Sequence, residues 1–324
     1  MIVRWGLGEL GRLLAELGSR RALLVTSARF RDLELPVTAR YAGVKRHSPL
    51  ETVSEAVAAS READALVGLG GGSAIDTAKA VSAATGLPLV SVPTTYSGAE
   101  WTPYFGMRDE ERRVKTGGSG ARTVAIVYEP RLTLDLPLDE SAGTALNALA
   151  HCAEALYVRG RNAEGDEQGL AGAALVDRWL PEVLARPDEL EARTKLLEGA
   201  MHGGKALALA GLALAHAMAQ VLGGRYGLPH GAMNALSLPP ALRFNEPVVP
   251  EAIARLGEAL GRDDPALRVE ELARLGGFER LRDLGVSEED LPSLAAEVEV
   301  RPGTRANPRP VTVEDAEALL RSIW

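Results

Sequence analysis

The chain has 324 residues with 44 acidic and 36 basic side chains, a formal charge of −8 that makes nucleic acid a poor partner. With 46% hydrophobic and 25% charged residues it is long enough for a sizeable core in one large or two medium domains. The single cysteine, Cys152, excludes an internal disulfide or a thiolate cluster, and no apolar leader or run of 18 uncharged apolar residues is present, so a cytoplasmic protein without membrane contact is expected.

In chain order, residues 22–26 (ALLVT) read as a buried strand, 50–60 as a helix, 65–69 as a strand, 73–84 as a helix and 87–92 as a strand. That alternation is the rhythm of parallel βαβ units. From about Ser141 onward, long Ala- and Leu-rich segments punctuated by prolines read as helices. The change of composition at 135–139 (DLPLD) divides an α/β dinucleotide-binding domain, 1–138, from an all-α domain, 139–324. Residues 301–310 read as a loop before a short last helix. The excess of Ala, Gly and Leu, and of arginine over lysine, reads as codon bias.

The run GLGGGS at 68–73 follows a strand and opens a helix, so Gly70, Gly71, Gly72 and Ser73 can bring backbone N–H groups close to a phosphate. The plain alternative is a tight turn in which Ser73 and Asp76 form a capping box. The next strand ends in VPTTYSGAE (92–100), where Thr94, Thr95, Ser97 and Gly98 supply hydroxyls and a glycine at the place where open α/β sheets bind ligands. A capped turn without a ligand would use the same residues.

Five histidines are present. Asn147 and His151 lie four apart on one helix face with Glu154 a turn on, His216 and Gln220 repeat the spacing, and His230 follows Pro229. His151, His216 and His230 could converge as neutral imidazoles on a divalent cation that needs one more donor, or each could simply be packed. His47 and His202 lack such a context and read as surface or packing residues.

The motifs GGGSAIDTAK (70–79), PTT (93–95), Asn147 with His151, His216, and PHG (229–231) resemble the iron-containing (group III) alcohol dehydrogenases over nearly the whole chain. Within that superfamily VPTTYSGAE, KTG at 115–117 and ALNALAHCAEALY at 145–157 resemble most of all the maleylacetate reductases. The resemblance implies a dehydroquinate synthase-like fold, an α/β nucleotide-binding domain followed by an all-α domain, with the active site in the cleft between them. It implies NAD or NADP, bound by Gly70, Gly71, Gly72, Ser73, Asp76, Thr94, Thr95, Ser97 and Gly98. Where NAD-preferring relatives place an aspartate after the strand ALLVT, this chain has Ser27 with Arg29 nearby, so either cofactor fits. The segment 27–49 is shorter than the family leads one to expect.

The resemblance further implies catalysis by His151, His216 and His230, with Lys115, Arg225 or Arg112 holding a substrate carboxylate. Metal-dependent relatives place an aspartate at Asn147, and an amide is a weaker, neutral donor, so iron or zinc held by Asn147, His151, His216 and His230 should bind weakly or not at all. Gln220 stands where the family usually has a histidine, which breaks the usual proton relay. The expected activity is NAD(P)H-dependent reduction of a small carbonyl compound or conjugated oxo-acid by a homodimer. A dehydroquinate synthase-like cyclase and a nucleotide-binding member with a non-redox reaction are the alternatives.

Overall fold

The computed structural model describes residues 1–324 except Glu110, Arg113 and the side chain of Lys115. The chain divides into two compact units, one of residues 1–95 and 99–135, the other of 96–98 and 136–324.

The first unit is a six-stranded sheet in the order β1-β8-β5-β4-β2-β3, formed by β1 (Ile2–Trp5), β2 (Ala22–Thr26), β3 (Ala39–Tyr41), β4 (Ala65–Gly70), β5 (Leu89–Pro93) and β8 (Thr123–Tyr128). Every pairing is parallel. Parallel strands are covered on both faces, which is why β2 and β4 are uninterrupted buried runs and not alternating ones. One face buries Leu24, Val67, Val90 and Val127 against Leu10, Leu13 and Leu14 of α1 (Glu9–Glu16). The other buries Leu23, Val25, Leu66 and Leu89 against Ala56 of α2 (Leu50–Ala59) and Ala78 and Val81 of α3 (Gly72–Thr85). Each such leucine or valine removed from water is worth roughly 1.5–3 kcal/mol, so the sheet is the rigid base of the unit. From β2 the chain runs outward to β3 and then returns to β4 on the other side of β2, so the strand order reverses between β2 and β4. Ligands of open α/β sheets bind at the strand ends beside such a reversal.

A two-stranded hairpin, β6 (Phe105–Asp109) with β7 (Val114–Gly118), lies outside the sheet. The apolar patterning does not announce it, because FGMRD and VKTGG carry few β-branched residues. Between β2 and α2 there is only the turn Ala28–Phe30 and the three-residue β3.

The second unit is helical: α4 (Leu138–Ala155), α5 (Ala163–Ala185), α6 (Leu190–Ala210), α7 (Leu214–Tyr226), α8 (His230–Asn245), α9 (Pro250–Ala259), α10 (Pro265–Leu275), α11 (Leu291–Glu299), α12 (Pro302–Ala306) and α13 (Val313–Ser322). Acidic Asp139 and Glu140 open α4 after Pro137, and 14 of its 18 residues are buried. It packs against α5, α6 and α8 through small residues. A Cβ on Gly169 of α5 would meet the Cys152 carbonyl oxygen at 2.7 Å, and one on Gly203 of α6 would meet that of Ala148 at 2.8 Å. The glycine and alanine content ascribed to codon bias is thus a packing requirement in these helices. The expected loop at 301–310 also needs correction, because Pro at its first position and the Arg301-to-Arg305 backbone bond make 302–306 the helix α12. Among the described residues no single helix is long and apolar enough to cross a membrane.

Candidate active site

The glycine turn stands at the carboxyl end of β4, beside the strand-order reversal. Gly70 has φ +142°, a conformation that disfavours side chains, and a Cβ there would meet Ala74 Cβ at 2.8 Å. Gly71 caps α3 with no side-chain hydrogen bond, so the helix N-terminus keeps the open N–H groups and positive dipole end that suit a phosphate. A Cβ on Gly71 would meet Thr95 Cγ2 at 2.9 Å, and Thr94 N–H donates to the Gly70 carbonyl at 3.0 Å. The turn and the β5 end therefore form one cradle, which a side chain would fill and a pyrophosphate fits.

Ser73 and Asp76 do not form a capping box. Ser73 Oγ accepts from His47 N–H at 2.9 Å, and Asp76 Oδ2 accepts from Gly106 N–H at 3.1 Å. Lys79, buried, donates from Nζ to the Ala99 carbonyl at 2.7 Å and lies 3.5 Å from Asp76 Oδ1. Burial holds the Lys79 ammonium below its ordinary pKa, against the pull of Asp76 and Glu100. Both committed side chains of the turn thus hold neighbouring segments: Ser73 the 47–48 segment, Asp76 the β6–β7 hairpin.

His47, expected to be a surface or packing residue, brings its backbone N–H against this turn. It and Ser48 have positive φ, +62° and +49°, and are pinned there by the Ser73 bond and by Ser48 Oγ donating to the Ser73 carbonyl at 2.8 Å. No local spacing marks them, because the two contacts span 26 and 25 residues. Ser27 follows β2, whose Thr26 hydroxyl donates to the Leu69 carbonyl at 2.7 Å, so Ser27 shares the strand-end rim with the glycine turn. Arg29, partly exposed, lies 3.9 Å from Asp135, whose side chain is almost wholly in solvent.

In the helical unit the structure brings three histidines together. The rings of His151 and His216 stack with centroids 4.6 Å apart and planes within 12°, and His230 lies 5.8 Å from His216 at 55°. His151 is on α4, His216 on α7, and His230 begins α8 after Pro229, which fixes the chain at the helix entry. Glu154, fully buried, orients His216. It accepts from His216 Nδ1 at 2.7 Å and from the Ala213 and His216 backbone N–H groups at 2.8 and 3.3 Å. One carboxylate therefore caps α7 and fixes the proton of His216 on Nδ1, leaving the buried Nε2 without a hydrogen-bond partner. His151 is held well below the ordinary histidine pKa, first by burial and then by His216, so it is neutral at pH 7.

Asn147 links the cluster to the Tyr96–Gly98 turn, which belongs to this unit. Its Nδ2 donates to the Ser97 carbonyl at 2.9 Å, and its Oδ1 accepts from Asn234 Nδ2 at 2.7 Å. The turn is seated further by Tyr96 N–H on Thr144 Oγ1 at 3.2 Å, by Arg193 Nη1 on the Tyr96 hydroxyl at 3.2 Å, and by Gly98, whose Cβ would meet Gly204 Cα at 2.9 Å.

These donors do not fit iron or zinc as they stand. Ring lone pairs lie in the ring plane, and two stacked, nearly parallel rings cannot both direct theirs at one ion. Both polar atoms of Asn147 are already committed. Among the described residues no group of three or more His, Cys, Asp and Glu side chains is arranged to hold a metal.

Of the basic residues considered for a substrate carboxylate, Arg225 is bonded to Glu297, and Arg112, mostly exposed, pairs with Asp109 at 3.7 Å. The Lys115 side chain lies outside the described residues, and its backbone pairs with Arg108 across the hairpin. Gln220 follows His216 by one turn and is half-buried. His202 bonds Gln168 at 2.8 Å. Glu154, which the sequence places one turn after His151, and Asn234, whose contact with Asn147 spans 87 residues, join the histidines in this cluster.

Residues 3–128 match the iron-containing alcohol dehydrogenase model, and 141–324 match the C-terminal model of the Fe-containing alcohol dehydrogenase family. A maleylacetate reductase of Pseudomonas knackmussii is 40% identical over 298 residues, 88% of this chain and 84% of that protein. Among solved structures, an alcohol dehydrogenase of Ralstonia eutropha superposes with a TM-score of 0.93 at 35% identity, covering 100% of this chain and 95% of that one. Maleylacetate reductase from a Rhizobium species superposes with a TM-score of 0.91 at 32% identity, with the same coverage. The chain is an oxidoreductase that belongs to the iron-containing alcohol dehydrogenase family.

Proposed function

We propose that this enzyme reduces a conjugated oxo-dicarboxylate of the maleylacetate type with NADH or NADPH. The observation that carries the reading is the three-histidine cluster, with His151 and His216 buried and His230 half-buried, ordered by Glu154 and tied to the Ser97 turn through Asn147, in a chain similar over most of its length to maleylacetate reductases. Those relatives do not favour the cyclase or the non-redox alternative.

Bound NAD(P)H supplies a hydride. The glycine cradle at 70–72 with Thr94 and Thr95 would hold the pyrophosphate, and Ser27, standing where NAD-preferring relatives have an aspartate, would accept NADP as well as NAD. When hydride adds to the substrate carbon β to the ketone, the electron pair moves through the double bond onto the ketone oxygen. The charge on that enolate oxygen is stabilised by the ring N–H groups of His151 and His230, that of His216 being committed to Glu154, in a largely desolvated site where each hydrogen bond is stronger than in water. A proton from solvent then completes the saturated product at the α carbon. Lys115 is our candidate for a substrate carboxylate.

No step requires an ion. The test is oxidation of NADH and NADPH, followed by absorbance, with maleylacetate and with simple aldehydes as alternative acceptors. Turnover with maleylacetate far above that with aldehydes is expected. Turnover with aldehydes alone would replace the substrate class.

A further inference from the structure

A chain of hydrogen bonds runs from a backbone carbonyl to a histidine through two buried amides, and its direction is set at one end. The Ser97 carbonyl can only accept, so the Asn147 atom 2.9 Å away is its nitrogen. Asn147 therefore turns its oxygen toward Asn234, and the Asn234 atom at 2.7 Å from that oxygen has to be the donor. The same Asn234 nitrogen lies 3.3 Å from the His230 carbonyl, a second acceptor that cannot reverse. A flipped Asn234 would set its oxygen against two other oxygens at once. Asn234 is fully buried, so water cannot relieve such a clash. Asn234 Nδ2 is also 3.2 Å from His230 Nε2. The two hydrogens of Nδ2 are shared among these three acceptors, and a proton on Nε2 would face them head-on, so Nε2 presents its lone pair and the ring proton of neutral His230 resides on Nδ1.

We propose that Asn234 is a positioning residue that holds His230 in the Nδ1–H tautomer and, through Asn147, holds the Ser97 turn against the histidine cluster. This deepens the reading of the site as the reductive centre and rests on it, but the proton position is measurable without any turnover. The neutral histidine side chain in water favours the Nε2–H form, so a protein histidine held as Nδ1–H carries the mark of its partner. Glu154 does the same for His216, which leaves both rings protonated at Nδ1, each for a separate structural reason.

With five histidines in the chain, two-bond 1H–15N correlation spectra of the labelled full-length protein resolve each ring, and His230→Gln assigns the signal of interest. The wild-type protein should show His230 with a protonated Nδ1 and an unprotonated, hydrogen-bonded Nε2. Asn234→Ala should move that ring to Nε2–H or to a mixture while the other four keep their patterns. In the same variant kcat for maleylacetate should fall about tenfold or more, with KM for NAD(P)H changed less than about twofold. A wild-type His230 found as Nε2–H or bound to a metal overturns the proposal, and so does an Asn234→Ala spectrum or kcat identical to wild type. If the wild-type tautomer is as stated and maleylacetate is not reduced, the functional reading fails and the tautomer assignment stands.

Discussion

Glu154 shows most directly how one side chain serves both stability and chemistry. Its two oxygens take up three donors, two of them backbone N–H groups at the start of α7 and the third the His216 ring. Truncation to alanine would leave those donors buried without acceptors, at a cost of about 1–3 kcal/mol for each that finds no water. Glu154→Ala is therefore expected to lower stability by about 2–4 kcal/mol in urea denaturation, with a larger loss of kcat than Glu154→Gln, which keeps one acceptor oxygen. Equal stability of the alanine variant and wild type would show that the carboxylate is not the cap. At this scale the sequence was readable where function follows helical spacing. Asn147, His151 and Glu154 share a face of α4, and Glu154 stood in view without a role. Asn234 and His47 were not readable, because their meaning depends on contacts 87 and 26 residues away, to Asn147 and to Ser73.

Among the elements, the β4–α3 turn carries the plainest consequence. Gly71 combines an uncapped helix start with a Cβ position already taken by Thr95 Cγ2. Gly71→Val should fill the cradle and remove NAD(P)H binding, read as loss of the fluorescence change on titration, while circular dichroism stays that of the folded protein. Unchanged affinity would place the pyrophosphate elsewhere. Strands β2, β4 and β5 were legible because a strand buried on both faces is an unbroken apolar run. Strand β1 is a four-residue edge containing Arg4, and the β6–β7 hairpin is glycine-rich, so neither carries that signature. The helical half was legible as helix but not as packing. The glycines of α5 and α6 make sense only once the backbone of α4 is seen at van der Waals distance from them.

For the molecule as a whole, family membership extends over both units, and our reading of the centre of the helical unit is that it works without the iron that the family's name suggests. An aspartate and three histidines would leave a divalent ion with a net charge of +1, whereas Asn147 leaves the full +2 in a buried site. Here the amide is instead spent on holding Ser97 and receiving Asn234, and stacking of His151 on His216 turns their lone pairs away from a common point. The central claim is that the histidine cluster works through hydrogen bonds alone. The measurement that tests it is NAD(P)H oxidation with maleylacetate by protein dialysed against EDTA and shown by elemental analysis to be free of iron and zinc. The account predicts the same kcat before and after dialysis and no gain on adding either metal. Loss of activity on dialysis with recovery on adding zinc or iron would contradict it.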